Sequence, residues 1–139
     1  MILLSSAFLP YIIGRVSGTD GYYTAFRLAF YFGSDPRNAA GPPGSNVLAQ
    51  FDFSSPWGTP AAGNRVYKVG PITTPVTASG VASYWRLIGL HGGEWSNLVH
   101  GSVGLIGSEA DIKVRTLEWV LGDPLRLDVI QIYPIKLTY

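Results

Sequence analysis

Thr24-Ala-Phe-Arg-Leu-Ala-Phe-Tyr-Phe32 is the stretch that decides the fold class. Phe26, Leu28, Phe30 and Phe32 recur at every second position, the spacing that puts four side chains on one face of a half-buried β-strand. Gly33-Ser-Asp-Pro36 follows, a turn signal in which each residue type favours chain reversal. The same grammar continues downstream. Val47, Ala49, Phe51 and Phe53 share one face of a second strand, Asn46 to Phe53, after a loop whose adjacent Pro42 and Pro43 cannot donate to a sheet interior. Asn64 to Val69 and Ile72 to Thr77 read as two short edge segments broken by Gly70-Pro71 and Pro75.

Val81 to Ile88 carries bulk on both faces, with Val81, Ser83, Trp85 and Leu87 on one and Ala82, Tyr84, Arg86 and Ile88 on the other, so it is expected to lie centrally. A turn over Gly89 to Ser96 leads to Asn97–Val103. Asp111 to Leu121 alternates with a change of phase near Thr116, the mark of a bulge or break. Leu125 to Tyr139 forms a final strand interrupted by Pro134. With 17 Gly and 10 Pro in 139 residues, turns fall about every ten positions. No segment holds an apolar period near that of a helix. The expected fold is all-β: an antiparallel β-sandwich, jelly-roll-like, of about eight strands, spanning 24–139 as one domain.

Residues 1–23 stand apart as an N-terminal arm. Met1 to Ile13 is apolar, but it lacks a basic leader and a small-residue cleavage site, and Pro10 interrupts it. It is also too short to span a bilayer as a helix. It is too uniformly apolar to score as an amphipathic helix, and its conformation, helical, extended or swapped, stays open.

Only 14% of residues are charged, mean hydropathy is +0.21 and aromatics reach 13%. A lone domain of this composition exposes much apolar surface, which marks an interface, so a homo-oligomer or a larger lattice is expected. Ten cations and nine anions are scattered without a basic run, which argues against a nucleic-acid partner. Zero cysteines remove disulfides, thiolate catalysis and Cys-type zinc sites together and fit assembly in a reducing cytoplasm.

A catalytic constellation is not found, and the chain reads as a non-enzyme with no cofactor and no metal. Two histidines, His91 and His100, are too few to hold zinc without distant carboxylates. His91-Gly-Gly93 is similar to the oxyanion loop of some esterases, yet the Gly-x-Ser-x-Gly elbow and its helix are missing. Glu109 and Asp111 are close in sequence, but both follow the turn at Gly107, where solvated or turn-stabilising roles are the simpler reading. Of four tryptophans, Trp85 and Trp119 lie within strand patterns and are expected in the core. Trp57 and Trp95 lie in loops, where they can stack on a sugar or plug a neighbouring subunit; the composition favours the subunit. The candidate interface residues are therefore Leu3, Leu4, Phe8, Leu9, Tyr11 and Ile12 in the arm, with Trp57 and Trp95 in the loops.

Several strings together resemble a family of small virion-associated proteins of tailed phages. Phe26-Arg-Leu-Ala-Phe-Tyr-Phe-Gly-Ser-Asp-Pro36 is similar to that family's opening strand and turn, and Val47-Leu-Ala-Gln-Phe-Asp-Phe53 to the segment that follows. Ala78-Ser-Gly-Val-Ala-Ser-Tyr-Trp-Arg-Leu87, Gly101-Ser-Val-Gly104 and Ala110-Asp-Ile-Lys-Val114 resemble later pieces, in order, over about residues 26 to 130. The arm and Pro134 depart from the pattern. The resemblance transfers no catalytic residue. It implies a virion structural protein, assembled in the host cytoplasm: foremost a capsid decoration or cement protein bound to the major capsid protein. A tail or baseplate adaptor or fibre-associated part is the next reading, and a carbohydrate-binding module the reading from a different class.

Overall fold

A computed structural model of the chain describes residues 8–33, 46–61, 65–108, 110 and 112–133, with side chains from Ile12 onward. Among the described residues, helix α1 (Phe8–Ser17) precedes nine strands: β1 (Ala25–Phe32), β2 (Val47–Ser54), β3 (Thr59–Ala61), β4 (Arg65–Pro75), β5 (Gly80–His91), β6 (Glu94–Leu105), β7 (Ile112–Val114), β8 (Glu118–Trp119) and β9 (Pro124–Ile132). The fold is all-β, as its alternation requires. One sheet runs β2-β1-β5-β6-β7, with β8 on the start of β5; the other runs β3-β4-β9. Pairing is antiparallel except between β6 and β7, which run parallel, a departure from the antiparallel expectation.

The alternation of β1 works as its spacing demands up to Phe30. Phe26, Leu28 and Phe30 are wholly buried in a core shared with Trp85, Leu87, Trp119 and the inward residues of β9. Each such side chain contributes on the order of 1.5–3 kcal/mol. Two irregularities then re-aim the chain. Phe30 pairs with Ala49 but Tyr31 with Val47, so Leu48 is an extra residue. The bulge turns Leu48 into the core and Val47 onto the opposite face, beside Tyr31 and Tyr84. A second shift, between Tyr31 and Phe32, leaves Phe32 exposed rather than in the core with its three neighbours. β5 is central and buried on both faces: Trp85 and Leu87 point into the main core, while Tyr84 stacks on Tyr31 with ring centroids 4.8 Å apart.

Residues 65–75 make one strand, not two, because the register shift between Val69 and Ile72 absorbs Gly70-Pro71 without ending the pairing with β9. The region read as a turn over Gly89 to Ser96 is likewise mostly strand. β5 and β6 continue to a tight reversal at Gly92 and Gly93, both with positive φ (59° and 81°), the conformation that the twist of a two-residue hairpin selects and that glycine adopts freely. The break near Thr116 separates β7 from β8 as expected.

The sheets curl toward each other into a half-barrel. On one side β4 reaches β2 through Thr74 Oγ1–H to the Gln50 carbonyl (2.8 Å) and Thr77 N–H to the Leu48 carbonyl (2.7 Å). On the other side β7 and β9 approach, with no ladder between them among the described residues. The N-terminal segment contributes to the same core: Ile13 and Val16 on α1 are buried in it, and Ile12 packs against it. A helix over Phe8–Ser17 was not legible in the uniformly apolar run, since burial by the sheets, rather than amphipathic contrast, stabilises it. Gly18 ends it with φ of 89°; a Cβ there would also meet Phe26 at 2.6 Å.

Candidate interaction surface

The richest exposed chemistry gathers where the β5–β6 hairpin meets the segment between α1 and β1. The register pairs Arg27 with Asp52 on one side and Ile88 on the other, and Leu90 with Trp95, so Arg27, Asp52 and Trp95 share the face turned away from the main core. Arg27 Nε donates to Asp52 Oδ1 at 2.9 Å, and Gln50 Nε2 donates to the same carboxylate at 3.2 Å. The Arg27 guanidinium lies 4.4 Å from the centroid of the Trp95 ring, which is 42% exposed. Such a cation–π contact at an exposed site contributes about 0.5–1 kcal/mol, and the exposed ion pair at most about as much. Their main effect is to hold a large aromatic surface in one orientation.

A second stack lies at the end of the same hairpin on the other face, since His91 follows Leu90 in the alternation. Tyr22 lies parallel to His91 with centroids 3.8 Å apart, and the Arg15 guanidinium sits 3.7 Å from the Tyr22 ring. His91 Nδ1 lies 2.9 Å from the Tyr22 carbonyl. Arg15 Nε donates to Asp20 Oδ2 at 2.7 Å. Slight burial alone would raise the Asp20 carboxyl, but the Arg15 hydrogen bond and the Tyr22 N–H outweigh it and hold the group below the usual carboxylate range. Trp, Tyr and Arg are the residue types that dominate binding energy at protein interfaces; here Trp95 and Arg27 lie pre-oriented on strands, and Tyr22 and Arg15 are held by their contacts with His91 and Asp20.

Trp95 is exposed at the surface and Trp57 is not. Trp57 is 2% exposed, packs near Phe53, and donates its indole N–H to the Val16 carbonyl at 2.7 Å. Its loop folds under α1, so the expectation of an interface role for Trp57 is corrected: its ring belongs to the core. Ile12 is half-buried against that core. Leu3 and Leu4 lie outside the described residues, as do the side chains of Phe8, Leu9 and Tyr11. Trp85 and Trp119 are core residues, as their strand patterns require. Arg27, Tyr22 and Arg15 carried no sequence signal; they become notable only because register and the α1–β1 connection bring them to Trp95 and His91.

Glu109 and Asp111 lie outside the described residues. Among the described residues no group of three or more His, Asp or Glu side chains is placed to hold a metal ion, and no helix is long and apolar enough to cross a membrane. Comparison with family models, with curated proteins and with solved structures found no match.

Two further surface features bear on binding. Val69 and Val129 are direct cross-strand partners on the outside of the smaller sheet and both are more than half exposed. Where β7 and β9 approach, a groove of about 250 Å³ opens, floored by Val76, Val114, Trp119 and Leu125.

Proposed function

We propose that this chain is an assembly module, a structural protein of a phage particle that serves as a capsid decoration or cement subunit on the major capsid protein. The observation that carries the assembly part is Trp95, an exposed aromatic ring on the β5–β6 hairpin held in place by the Arg27 guanidinium of β1. The phage particle as its setting comes from the ordered sequence resemblance. The low charge and the exposed apolar pairs are consistent with a protein that works in many copies, where a standard interface of about 1,600 Å² repeated over a lattice multiplies a modest affinity.

The test is the number of copies per purified virion, by quantitative mass spectrometry against the major capsid protein. A ratio near that of the capsid protein, or a simple fraction of it, supports decoration. A few dozen copies or fewer move the protein to the tail, and absence from particles refutes both. Within the decoration reading, Arg27→Glu together with Trp95→Ala is expected to lower occupancy at least tenfold, which corresponds to about 1.4 kcal/mol per subunit, with the circular dichroism spectrum unchanged.

The second reading, a carbohydrate-binding module, is favoured by one observation: Arg27 lies between the exposed Trp95 ring and the hydrogen-bonding Asp52 on one sheet face, an aromatic ring and polar groups of the kinds a sugar ring uses. Quenching of tryptophan fluorescence by a glycan panel, lost in Trp95→Ala, would support it; unchanged fluorescence throughout would reject it.

A further inference from the structure

The turns that follow β6 and β8 carry aliphatic residues where turn chemistry favours polar ones. Leu105-Ile106-Gly107-Ser108 is closed by Ser108 N–H to the Leu105 carbonyl at 3.0 Å, and Val120-Leu121-Gly122-Asp123 by Asp123 N–H to the Val120 carbonyl at 3.0 Å. In each the glycine stands third with positive φ (96° and 93°), as such a turn requires, but the two residues before it are aliphatic. Ile106 is 68% exposed and Leu121 63%, with Leu105 and Val120 exposed beside them. Turn geometry does not call for these side chains, and aliphatic residues grouped in solvent mark a contact. Both turns are tied to the floor of the groove over Trp119: Ile106 N–H donates to the Val114 carbonyl (3.2 Å) and Gly122 N–H to the Val76 carbonyl (2.9 Å).

We infer that this end of the half-barrel is a self-complementary contact, through which two copies of the chain associate with the turn tips of each against the groove of the other. This goes beyond the reading of Trp95, which lies toward the opposite end of β5 from Gly80 and Trp119. Tips and groove adjoin on one surface, the condition under which a two-fold axis between them seats each tip against the partner's groove. The groove, about 250 Å³ with Val114 and Trp119 in its floor, takes a leucine or isoleucine side chain, since an apolar cavity of about 150 Å³ accepts benzene. Charge on its rim selects the occupant. Arg126 and Asp128 pair with each other at 3.0 Å, whereas Arg115, Glu118 and Asp123 form no ion pair among the described residues. The same two-fold carries Arg115 of one copy toward Glu118 and Asp123 of the other, and does so twice, so the rim is complementary to itself. A bilayer would accept the aliphatic tips, but it offers no fixed guanidinium to these carboxylates and no projecting side chain to the groove.

Sedimentation of the purified full-length chain tests this directly. The wild type is expected to form a dimer, and Ile106→Asp/Leu121→Asp to dimerise at least tenfold more weakly with an unchanged circular dichroism spectrum, since both side chains are solvent-exposed. Arg115→Glu in one chain and Glu118→Arg/Asp123→Arg in another are each expected to weaken self-association, and their equimolar mixture to restore a dimer that holds one copy of each. The mixture is run at about 0.15 M salt, where charges more than about 8 Å apart are largely screened, so re-pairing reports contact at the rim. A wild-type chain that stays monomeric up to about 1 mM, a dimer indifferent to the tip substitutions, or charge variants that fail to re-pair overturns the inference. So does binding of the wild-type chain to phosphatidylcholine vesicles that is lost in Ile106→Asp/Leu121→Asp with no dimer in solution, which would assign the tips to a lipid surface. Arg27→Glu/Trp95→Ala is expected to dimerise as the wild type does. Sedimentation of purified protein is independent of virion copy number. A monomer with full virion occupancy therefore removes this contact alone, and a dimer absent from virions removes the virion reading alone.

Discussion

Trp57→Phe separates a core role for this residue from a surface role more sharply than any other single change. The indole is 2% exposed and its N–H, 2.7 Å from the Val16 carbonyl, satisfies an acceptor in the last turn of α1, where no later helical amide is available. Phenylalanine keeps an aromatic ring in place but removes that donor, and a buried carbonyl left unpaired costs about 1–3 kcal/mol. The volume lost, roughly 40 Å³, adds about 1 kcal/mol at the cost observed for residual cavities. The sum is about 2–4 kcal/mol out of the roughly 5–15 kcal/mol typical of a domain. In urea, with a slope of about 2 kcal/mol/M, the midpoint should fall by about 1–2 M at unchanged slope. Trp95→Phe is the internal reference. It loses part of an exposed cation–π contact and should cost under about 1 kcal/mol. Equal midpoints for the two variants, within about 0.3 M, would refute the placement of Trp57 beneath α1 and restore it as a surface anchor.

Two other outcomes follow from the packing. A Cβ on Gly89 would lie 2.7 Å from Cδ1 of Tyr23 and 3.0 Å from Leu98, so Gly89→Ala should destabilise by about 1–3 kcal/mol through overpacking, read as a lower urea midpoint; a neutral result would mean that the Tyr23 ring moves freely. Burial raises the ionisation of Tyr31 above the usual tyrosine range, its neighbour Tyr84 adds to the rise, and Arg86 opposes it. A raised acid group stabilises the folded state fully below its unfolded value of about 10 and loses that contribution as pH climbs beyond it. Stability should therefore fall above about pH 10, with a shallower fall in Tyr31→Phe. Identical pH profiles for the two proteins would remove Tyr31 as a cause.

Fold class was legible in the sequence because a β-strand writes its burial into alternate residues. Phe26, Leu28 and Phe30 needed no partner to announce a buried face, Trp85 and Trp119 were assignable to the core from strand context, and the break at Thr116 showed as a phase change. Local pattern failed where a partner strand set the register. Leu48 and Val47 exchange faces because β2 carries one residue more than β1 at that point, and Phe32 is exposed for a similar reason. Neither shift has a signature in one strand alone.

The candidate surface divides along the same line. That the chain would present an exposed tryptophan on a low-charge surface could be read from composition. Which tryptophan it would be could not, because Trp57 and Trp95 both sit among glycines and polar residues. Burial under α1 removes one, and a glycine hairpin lifts the other beside Arg27, which is distant in sequence and brought near only by pairing of β1 with β5 and β5 with β6. The groove between β7 and β9 is likewise a property of curvature, since each strand reads as ordinary and only the approach of the two sheets creates it. Sequence by itself determined period and composition, hence strands, core types and a sticky surface. Tertiary structure alone decided which groups meet, because the hydrogen bonds that set register join residues far apart in the chain.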